Sequence, residues 1–332
     1  MKVVIPLAGF GTRLRPHTFT KPKPLVSVAG KPVLGHILDK LKGVDISEII
    51  YIVGYLGNQI EEYVEANYQF PSRYVVQEEL KGQAHAIWLA REHIEGPVLI
   101  IFVDTIFETD LSALRDEPSD GIVYVSEVDD PGRFGVVIVG QDGYIQRLVE
   151  KPTKPVSNLA VIGLYYLKDS ALLMECIDEL IRRDIKTQGE YFLADALQLM
   201  IDRGQRLVAR TVEVWEDCGK PETVLHTNRY LLEHGGAQEV PTDHGILIPP
   251  VYVDKTAVIR ESIIGPYVSV AAGAVIVRSI IRNSIINENA HIENAVLTDS
   301  LIGKDADVRG SFERLNVGDS SQVSFAGGGD SK

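Results

Sequence analysis

A cationic segment near the N-terminus carries residue types that bind a small anion. Residues 1–38 contain no Asp or Glu, although the 332-residue chain has a formal net charge of -13. The cations of this segment are Lys2, Arg13, Arg15, Lys21, Lys23 and Lys31. Gly9 and Gly11 lie among them, and glycine lets backbone N–H groups come close to a ligand. Because such N–H groups and fixed cations bind phosphate together, the segment predicts a phosphate-binding loop.

Two common phosphate loops do not fit this segment. A Walker loop needs Gly-x4-Gly-Lys followed by Ser or Thr, and the sequence contains no such stretch. The dinucleotide-binding fingerprint fits only in part, because Leu14 stands where the third glycine belongs and the next acid is Asp39. These mismatches disfavour a P-loop NTPase and a nicotinamide-dependent dehydrogenase.

Two aspartates are candidate metal ligands. Asp104 follows the apolar run from Val98 to Val103, and Asp217 follows the run from Val212 to Trp215. Both runs are typical of strands. A carboxylate at the carboxyl end of a strand, close to an anion loop, suits Mg²⁺, which takes oxygen ligands and keeps several waters. The sequence therefore predicts Mg²⁺ as the cofactor.

Up to about residue 235, short branched apolar runs alternate with amphipathic stretches. The runs predict strands at 3–7, 49–53, 74–76 and 98–103, and the stretches predict helices at 33–41, 59–66 and 84–93. This alternation predicts an α/β fold with a doubly wound, mainly parallel, Rossmann-like sheet. Ligands of such sheets bind beyond the carboxyl ends of the strands, where the cationic loop and Asp104 fall.

The sequence pattern changes near residue 246, where an apolar residue begins to recur at every sixth position. The repeated units are Val253-Asp254-x-x-Ala257-x-Ile259, Ile264-Gly265-x-x-Val268-x-Val270, Ile286-Asn287-x-x-Ala290-x-Ile292 and Ile302-Gly303-x-x-Ala306-x-Val308. This spacing predicts a short left-handed parallel β-helix. The predicted organisation is a first domain at 1–235, a linker at 236–245, the β-helix at 246–316 and a flexible tail at 317–332.

Hexapeptide coils also occur in acyltransferases, so a second activity has to be considered. His291 is the one histidine within the coils and could act as a base. No partner motif accompanies His291, which favours an ordinary surface residue. We therefore expect the coils to serve as an assembly element or an allosteric platform, and we expect a homo-oligomer because exposed coil ends favour association.

The composition narrows the class of partner and the compartment. The acidic balance argues against nucleic acid and against anionic membrane surfaces, which select a basic face. The two cysteines, Cys176 and Cys218, suggest neither a disulfide framework nor a zinc cluster. The sequence contains no apolar run of about 18 residues, the length that a membrane-spanning helix needs. The N-terminal residues predict a strand and not the apolar core of a signal peptide. We expect a soluble, cytoplasmic protein with small phosphorylated ligands.

The motifs, taken in order, resemble those of the sugar nucleotidylyltransferases, particularly the glucose-1-phosphate thymidylyltransferase branch. The signature is Leu7-Ala8-Gly9-Phe10-Gly11-Thr12-Arg13-Leu14-Arg15-Pro16 with Lys23-Pro24-Leu25. Later matches are Gln77 with Gly82-Gln83-Ala84-His85-Ala86, Asp104-Thr105-Ile106-Phe107, Phe134-Gly135-Val136-Val137, Glu150-Lys151-Pro152, Ser157-Asn158-Leu159-Ala160-Val161, Gly189-Glu190 and Trp215-Glu216-Asp217-Cys218-Gly219. The resemblance covers nearly the whole chain and implies transfer of a nucleotidyl group from a nucleoside triphosphate to a sugar-1-phosphate.

The resemblance also implies a role for individual residues. The implied nucleotide site is Leu7, Ala8, Gly9, Gly11, Thr12, Arg13, Gln77 and Gly82. The implied sugar-phosphate site is Gly135, Glu150, Lys151, Asn158 and Val161. Arg13 would grip the β- and γ-phosphates, Lys23 the α-phosphate and Lys151 the sugar phosphate, which makes these three catalytic together with Asp104. The same resemblance points to Asp104 and Asp217 as the metal ligands.

The identity of the base and of the sugar stays open at this point. The amide of Gln77 can donate and accept at once, which suits thymine or uracil, so dTTP or UTP with glucose-1-phosphate is favoured. The chain departs from the family pattern at Val103-Asp104-Thr105, at 81–86 and at Gln188. One alternative is another pair, such as GTP with mannose-1-phosphate. Another is a non-catalytic regulatory or scaffold subunit that binds nucleotide, which the retained cations and aspartates disfavour.

Overall fold

The computed structural model describes residues 1–238, 240 and 244–311. The strands of the N-terminal part are β1 (Lys2–Pro6), β2 (Ser27–Val28), β3 (Lys31–Pro32), β4 (Glu48–Val53), β5 (Ser72–Val76), β6 (Val98–Ile101), β7 (Thr105–Glu108), β8 (Gly121–Glu127), β9 (Gly135–Val139), β10 (Ile145–Glu150), β11 (Leu159–Leu167), β12 (Leu207–Thr211) and β13 (Val214–Asp217). Its α-helices are α1 (Val33–Lys40), α2 (Gly57–Asn67), α3 (Gln83–Leu89), α4 (Ser170–Arg182), α5 (Leu193–Asp202) and α6 (Pro221–Leu231).

The main sheet runs in the order β10-β9-β11-β6-β1-β4-β5, and β8 and β12 extend it from β11. The strands β6, β1, β4 and β5 pair in parallel, as the alternation of strands and helices predicts. Strand β11 enters antiparallel to β6, and β9 and β10 pair as an antiparallel hairpin. The sheet is therefore parallel on the side of the phosphate loop and mixed on the other side.

Helices cover both faces of this sheet. Along β1, Val3 and Ile5 point into a core that contains residues of α1, α2 and α6. Val4 points to the opposite face, where α3, α4 and α5 supply the core. Successive side chains of a strand point to opposite faces, so each strand contributes to both cores. The predicted doubly wound α/β architecture is confirmed.

The strand ends next to the two aspartates differ from the prediction. Strand β6 ends at Ile101, so Asp104 lies in the connection to β7 rather than directly after a strand. The pairing with β11 continues for one more residue, because the N–H of Phe102 donates to the carbonyl oxygen of Gly163 at 2.8 Å. Strand β13 begins two residues later than predicted and includes Asp217 as its last residue. The pairing of β13 with β7 sets both ends, because it places Asp217 opposite Thr105.

The C-terminal part is a coil of short parallel strands. These are β14 (His244–Leu247), β15 (Val251–Val253), β16 (Val258–Ile264), β17 (Val268–Val270), β18 (Val275–Val277), β19 (Ile280–Arg282), β20 (Ile285–Ile286), β21 (His291–Glu293), β22 (Val296–Thr298), β23 (Leu301–Ile302) and β24 (Asp307–Arg309). Val258 pairs with Val275, and Val275 pairs with His291, so one coil takes 17 or 16 residues. Three six-residue units would take 18. Tight corners explain the shorter repeat, because residues with positive φ such as Asn294 turn them.

The coil packs directly on the N-terminal part. The buried side chain of Asn228 in α6 accepts the N–H of Ala29 at 2.9 Å and the hydroxyl of Ser269 at 2.6 Å. The ring of Tyr252 lies on Gly30, where a Cβ atom would come within 2.1 Å of the ring. Gln238, within the linker predicted at 236–245, pairs in parallel with Tyr252 of the coil. The predicted tail at 317–332 lies outside the described residues.

Candidate active site

Two adjoining cavities lie at the carboxyl ends of the parallel strands. The first, which we name the loop cavity, has a volume of about 360 Å³ and lies against the cationic loop. The second, the strand cavity, has a volume of about 330 Å³ and lies against β9, β10 and β13. The residues that line both are Arg13, Gln83, Phe102 and Asp104. A ligand in one cavity would therefore meet a ligand in the other beside Arg13 and Asp104.

Nearly all of the predicted site residues line these cavities. The loop cavity contains the whole predicted nucleotide set, Leu7, Ala8, Gly9, Gly11, Thr12, Arg13, Gln77 and Gly82, together with Lys23. The strand cavity contains Gly135, Glu150, Lys151, Val161 and Asp217. Asn158 is exposed and lines neither cavity. Its backbone carbonyl oxygen accepts a hydrogen bond from the N–H of Val128 at 3.0 Å.

The two glycines of the cationic loop have different structural roles. Gly11 adopts a φ of 61°, and a Cβ atom there would come within 2.8 Å of the Cβ atom of Lys23. Its carbonyl oxygen also accepts the hydroxyl of Thr18 at 2.8 Å. A Cβ atom at Gly9 would meet nothing within 4 Å. Gly11 therefore closes the loop onto the stem of Lys23, whereas Gly9 leaves open space for a ligand to approach the backbone.

The two predicted metal ligands lie on neighbouring segments, where Asp104 lines both cavities and Asp217 lines the strand cavity. Asp217 lies opposite Thr105 in the β13–β7 pair, and the N–H of Cys218 donates to the backbone oxygen of Asp104 at 2.8 Å. The ammonium group of Lys23 lies 3.6 Å from Oδ2 of Asp104. Within the described ranges, no third His, Cys, Asp or Glu joins them to form a metal cluster. Two carboxylates fit Mg²⁺, which binds proteins through one or two carboxylates and takes substrate phosphate oxygens as further ligands.

The strand cavity contains a carboxylate beside a cation. Glu150 lies opposite Gly135 in the β10–β9 pair, and a Cβ atom at Gly135 would come within 2.9 Å of Oε2 of Glu150. Burial raises the pKa of the Glu150 carboxyl above its ordinary value, and the neighbouring charge of Lys151 opposes this shift. The ammonium group of Lys151 lies 3.9 Å from Oε1 of Glu150 and 5.0 Å from the ring centre of Phe192. The cavity therefore offers an acceptor for hydroxyl groups and a cation for a phosphate.

Gln77 and Gly82 form the inner wall of the loop cavity. Gln77 is buried, and its Nε2 atom lies 3.4 Å from the oxygen of Gly82 and 3.3 Å from Nδ1 of His85. Gly82 adopts a φ of 111°, and a Cβ atom there would come within 2.5 Å of the backbone oxygen of Tyr191. The sequence suggests that Gly82 gives a base room to approach. The structure adds that contact with the backbone of Tyr191 already requires glycine at this position.

Several lining residues carry no role in the sequence-based prediction. Glu190 lines the loop cavity, and Arg133 and Trp215 line the strand cavity. Glu190 and Gln83 lie within the matched motifs, so the motif positions could have identified them. Trp215 could have been found from strand alternation, because it lies two residues before Asp217 on β13 and so shares its face.

Comparison with known proteins shows the family. The family model described as "Nucleotidyl transferase" matches residues 2–234, which is more than half of the chain. The chain belongs to the nucleotidyl transferase family, and the α/β sheet and the two joined cavities are the parts that the match covers.

Three curated relatives are 31–34% identical to this chain. The chain is 33% identical over 339 residues to the bifunctional protein GlmU of Methanococcus vannielii, covering 92% of this chain and 78% of that protein. It is 31% identical over 364 residues to the low-salt glycan biosynthesis nucleotidyltransferase Agl11 of Haloferax volcanii, covering 97% of this chain and 99% of that protein. It is 34% identical over 230 residues to the UTP–glucose-1-phosphate uridylyltransferase AglF of the same organism, covering 67% and 93%.

Among solved structures, the chain is similar to UDP-glucose pyrophosphorylase complexed with UDP-glucose. The TM-score is 0.63 at 25% sequence identity, and the match covers 70% of this chain and 98% of that chain. In the described part of the chain, none of the helices combines the length and the apolar character that a membrane span requires.

Proposed function

We propose that the protein transfers the uridylyl group of UTP to glucose-1-phosphate, with release of pyrophosphate, and that dTTP is the nearest alternative donor. The observation that carries this proposal is the junction of the loop and strand cavities at Arg13 and Asp104. A transfer between two phosphorylated substrates requires two adjoining sites with cations at their boundary. The names of AglF and of the similar solved structure support uridine and glucose in particular.

The proposed reaction needs alignment and charge stabilisation more than a strong base. An oxygen of the sugar phosphate, which is already ionised, attacks the α-phosphorus and forms the new P–O bond. The bond from the α-phosphorus to the bridging oxygen breaks, and pyrophosphate leaves with the electron pair. Arg13 would hold the leaving phosphates through its planar fork, and Lys23 would neutralise the α-phosphate. Preorganised cations of this kind contribute several kcal/mol to such a step.

The strand cavity would hold the sugar-1-phosphate. Lys151 would bind its phosphate, and Glu150 would accept hydrogen bonds from the sugar hydroxyls. The partial burial of Glu150 strengthens such hydrogen bonds, because little water competes for the carboxylate. The role of Asn158 in sugar binding stays a prediction that depends on the family resemblance, since its side chain is exposed in this structure.

Asp104 and Asp217 would hold Mg²⁺ between the two substrates. When it is bound, Mg²⁺ supplies charge neutralisation to phosphate oxygens and aligns them for in-line displacement. The contact between Lys23 and Asp104 supports this arrangement, since a ligand carboxylate and a phosphate-binding cation would act on the same phosphate group.

We further propose that the protein is a homo-oligomer that acts in the cytoplasm. Ile246, Ile263, Ile280 and Val296 pair in register from coil to coil and form an apolar ladder, with Val296 73% exposed. Such a ladder supports self-association, which a mass measurement in solution tests. The two cysteines are buried and free, which supports a location in the cytoplasm. The proposed use of nucleoside triphosphates as substrates supports the same location.

The test is a pyrophosphate-release assay with Mg²⁺ over a grid of substrates. The nucleotides are UTP, dTTP, GTP, ATP and CTP, and the sugars are glucose-1-phosphate, mannose-1-phosphate and N-acetylglucosamine-1-phosphate. We expect UTP with glucose-1-phosphate to give the highest kcat/KM. A maximum with dTTP would transfer the assignment to the thymidylyl reaction. No release from any pair by the folded protein would favour the non-catalytic nucleotide-binding subunit.

A further inference from the structure

The side chain of Gln77 is held in one orientation by two acceptors. Its Nε2 atom faces the carbonyl oxygen of Gly82 at 3.4 Å and the Nδ1 atom of His85 at 3.3 Å. A carbonyl oxygen can only accept, so an amide turned by 180° would set Oε1 against the oxygen of Gly82. The Gly82 carbonyl therefore selects the orientation in which the NH₂ group of Gln77 points into the protein.

This orientation also sets the proton position on His85. Nδ1 must accept from the NH₂ group of Gln77, so the imidazole is neutral and carries its proton on Nε2. Both N–H bonds of the Gln77 amide then have protein acceptors. Its Oε1 atom accepts no hydrogen bond from the described residues and is not fully buried, so it is open to the loop cavity that Gln77 lines.

We propose that His85 is a positioning residue for base selection, which holds Gln77 so that the nucleotide meets an acceptor and not a donor. The proposal rests on the proposed role of Gln77 at the base. Uracil and thymine present an N3–H donor, which matches this acceptor. Cytosine presents an unprotonated N3, so in the same pose two acceptors would face each other. The sequence suggests an amide that donates and accepts at once, whereas the structure leaves only the acceptor free for the base.

A pair of variants at His85 separates this role from simple packing. His85→Leu removes the acceptor but fills the space, and His85→Asn keeps an oxygen at the position of Nδ1. We expect His85→Leu to lower the ratio of kcat/KM for UTP to that for CTP about tenfold, the magnitude of one lost hydrogen bond. We expect His85→Asn to keep most of this ratio. An unchanged ratio in His85→Leu, or an equal loss in both variants, would overturn the proposal.

The pH profile of the same ratio provides a second readout. Burial, and then the charge of Lys81, hold the pKa of His85 below its ordinary value, and Glu79 acts in the opposite direction. The neutral ring that orients Gln77 therefore exists above this pKa and is lost below it. We expect a constant UTP to CTP ratio at neutral pH and a decline only at pH values below the ordinary pKa of an imidazole. Glu190 is a second ionisable residue in the lining of the cavity. The control is therefore His85→Asn, which lacks the imidazole, so the pH profile of its UTP to CTP ratio should be flat.

Binding measurements keep this proposal separate from the proposed function. Turnover of the unchanged protein on the substrate grid tests the reaction. Calorimetric titration of the unchanged protein and of both variants with UTP and with CTP tests His85 without turnover. An inactive protein that still prefers UTP, and loses this preference in His85→Leu, would support the role of His85 and reject the reaction. The absence of any preference for UTP in the unchanged protein would overturn the role of His85.

Discussion

The environment of Asp104 defines what single residues contribute. Its carboxylate faces the ammonium group of Lys23, its backbone oxygen is bound by the N–H of Cys218, and its side chain lines both cavities. Each contact comes from a different part of the chain. Asp104 is therefore held at the point where the two proposed substrates would meet, which no local sequence pattern specifies.

Replacement of Asp104 by asparagine tests the proposed metal site. We expect Asp104→Asn to lower kcat roughly 100-fold or more and to raise the Mg²⁺ concentration needed for half-maximal rate, because a neutral amide is a poor magnesium ligand. The measurement is pyrophosphate release over a magnesium titration. Asp116→Asn, a change of an exposed acid outside both cavities, is the matched control. Full activity of Asp104→Asn at low magnesium would refute the assignment.

At the scale of elements, the wall of the loop cavity depends on two segments that are distant in sequence. The N–H of Tyr191 donates to the oxygen of Lys81 at 2.9 Å, and the N–H of Ala84 donates to the oxygen of Tyr191 at 2.9 Å. These bonds join the start of α3 to the segment before α5. The close approach at Gly82 is thus a contact between elements, and α3 in turn positions His85 next to Gln77.

A methyl group at Gly82 should separate these elements. We expect Gly82→Ala to lower the free energy of unfolding by about 2 kcal/mol or more and to weaken UTP binding, because the new Cβ atom meets the Tyr191 backbone. Gly204→Ala is the control, since Gly204 also has a positive φ but would meet nothing within 4 Å. Urea unfolding and calorimetry measure the two effects. Equal losses in both variants would mean that backbone strain alone matters.

On the scale of the whole molecule, the coil and the N-terminal part share a buried interface. Asn228 uses its side-chain oxygen for Ala29 and Ser269, and its Nδ2 donates to the oxygen of Tyr267 at 3.3 Å. Lys21, two residues before Lys23, pairs with Glu288 of the coil at 2.9 Å. The cationic loop is therefore in contact with the coil through the same segment that contributes to the loop cavity.

The interface predicts a coupled loss of stability. We expect Asn228→Ala to lower the free energy of unfolding by about 2–4 kcal/mol, because buried donors and acceptors on both sides lose their partner. Urea unfolding followed by circular dichroism measures this change. Glu288→Gln, which weakens a partly exposed ion pair, should cost less than about 1 kcal/mol. If Asn228→Ala unfolds like the unchanged protein, the two parts do not stabilise each other through this residue.

Much of the architecture could be predicted from local patterns. Branched apolar runs and amphipathic spacing identified the parallel strands β1, β4, β5 and β6 and the helices between them, because burial selects those residue types at each position. The six-residue spacing identified the coil for the same reason. The hairpin of β9 and β10, and the antiparallel entry of β11, have no comparable local signal, since the direction of pairing depends on distant strands.

The sequence by itself determined the types of groups at the site: a glycine loop with cations, two aspartates, and a glutamate beside a lysine. The chemistry of each group is set by the identity of its residue, which the sequence states directly. Only the tertiary structure decided that Arg13 and Asp104 join two cavities, that Asn158 lies outside them, and that His85 and Gly82 leave Gln77 a single free acceptor. These facts depend on distances between segments far apart in the chain, and such distances arise from packing of the whole sheet rather than from local composition.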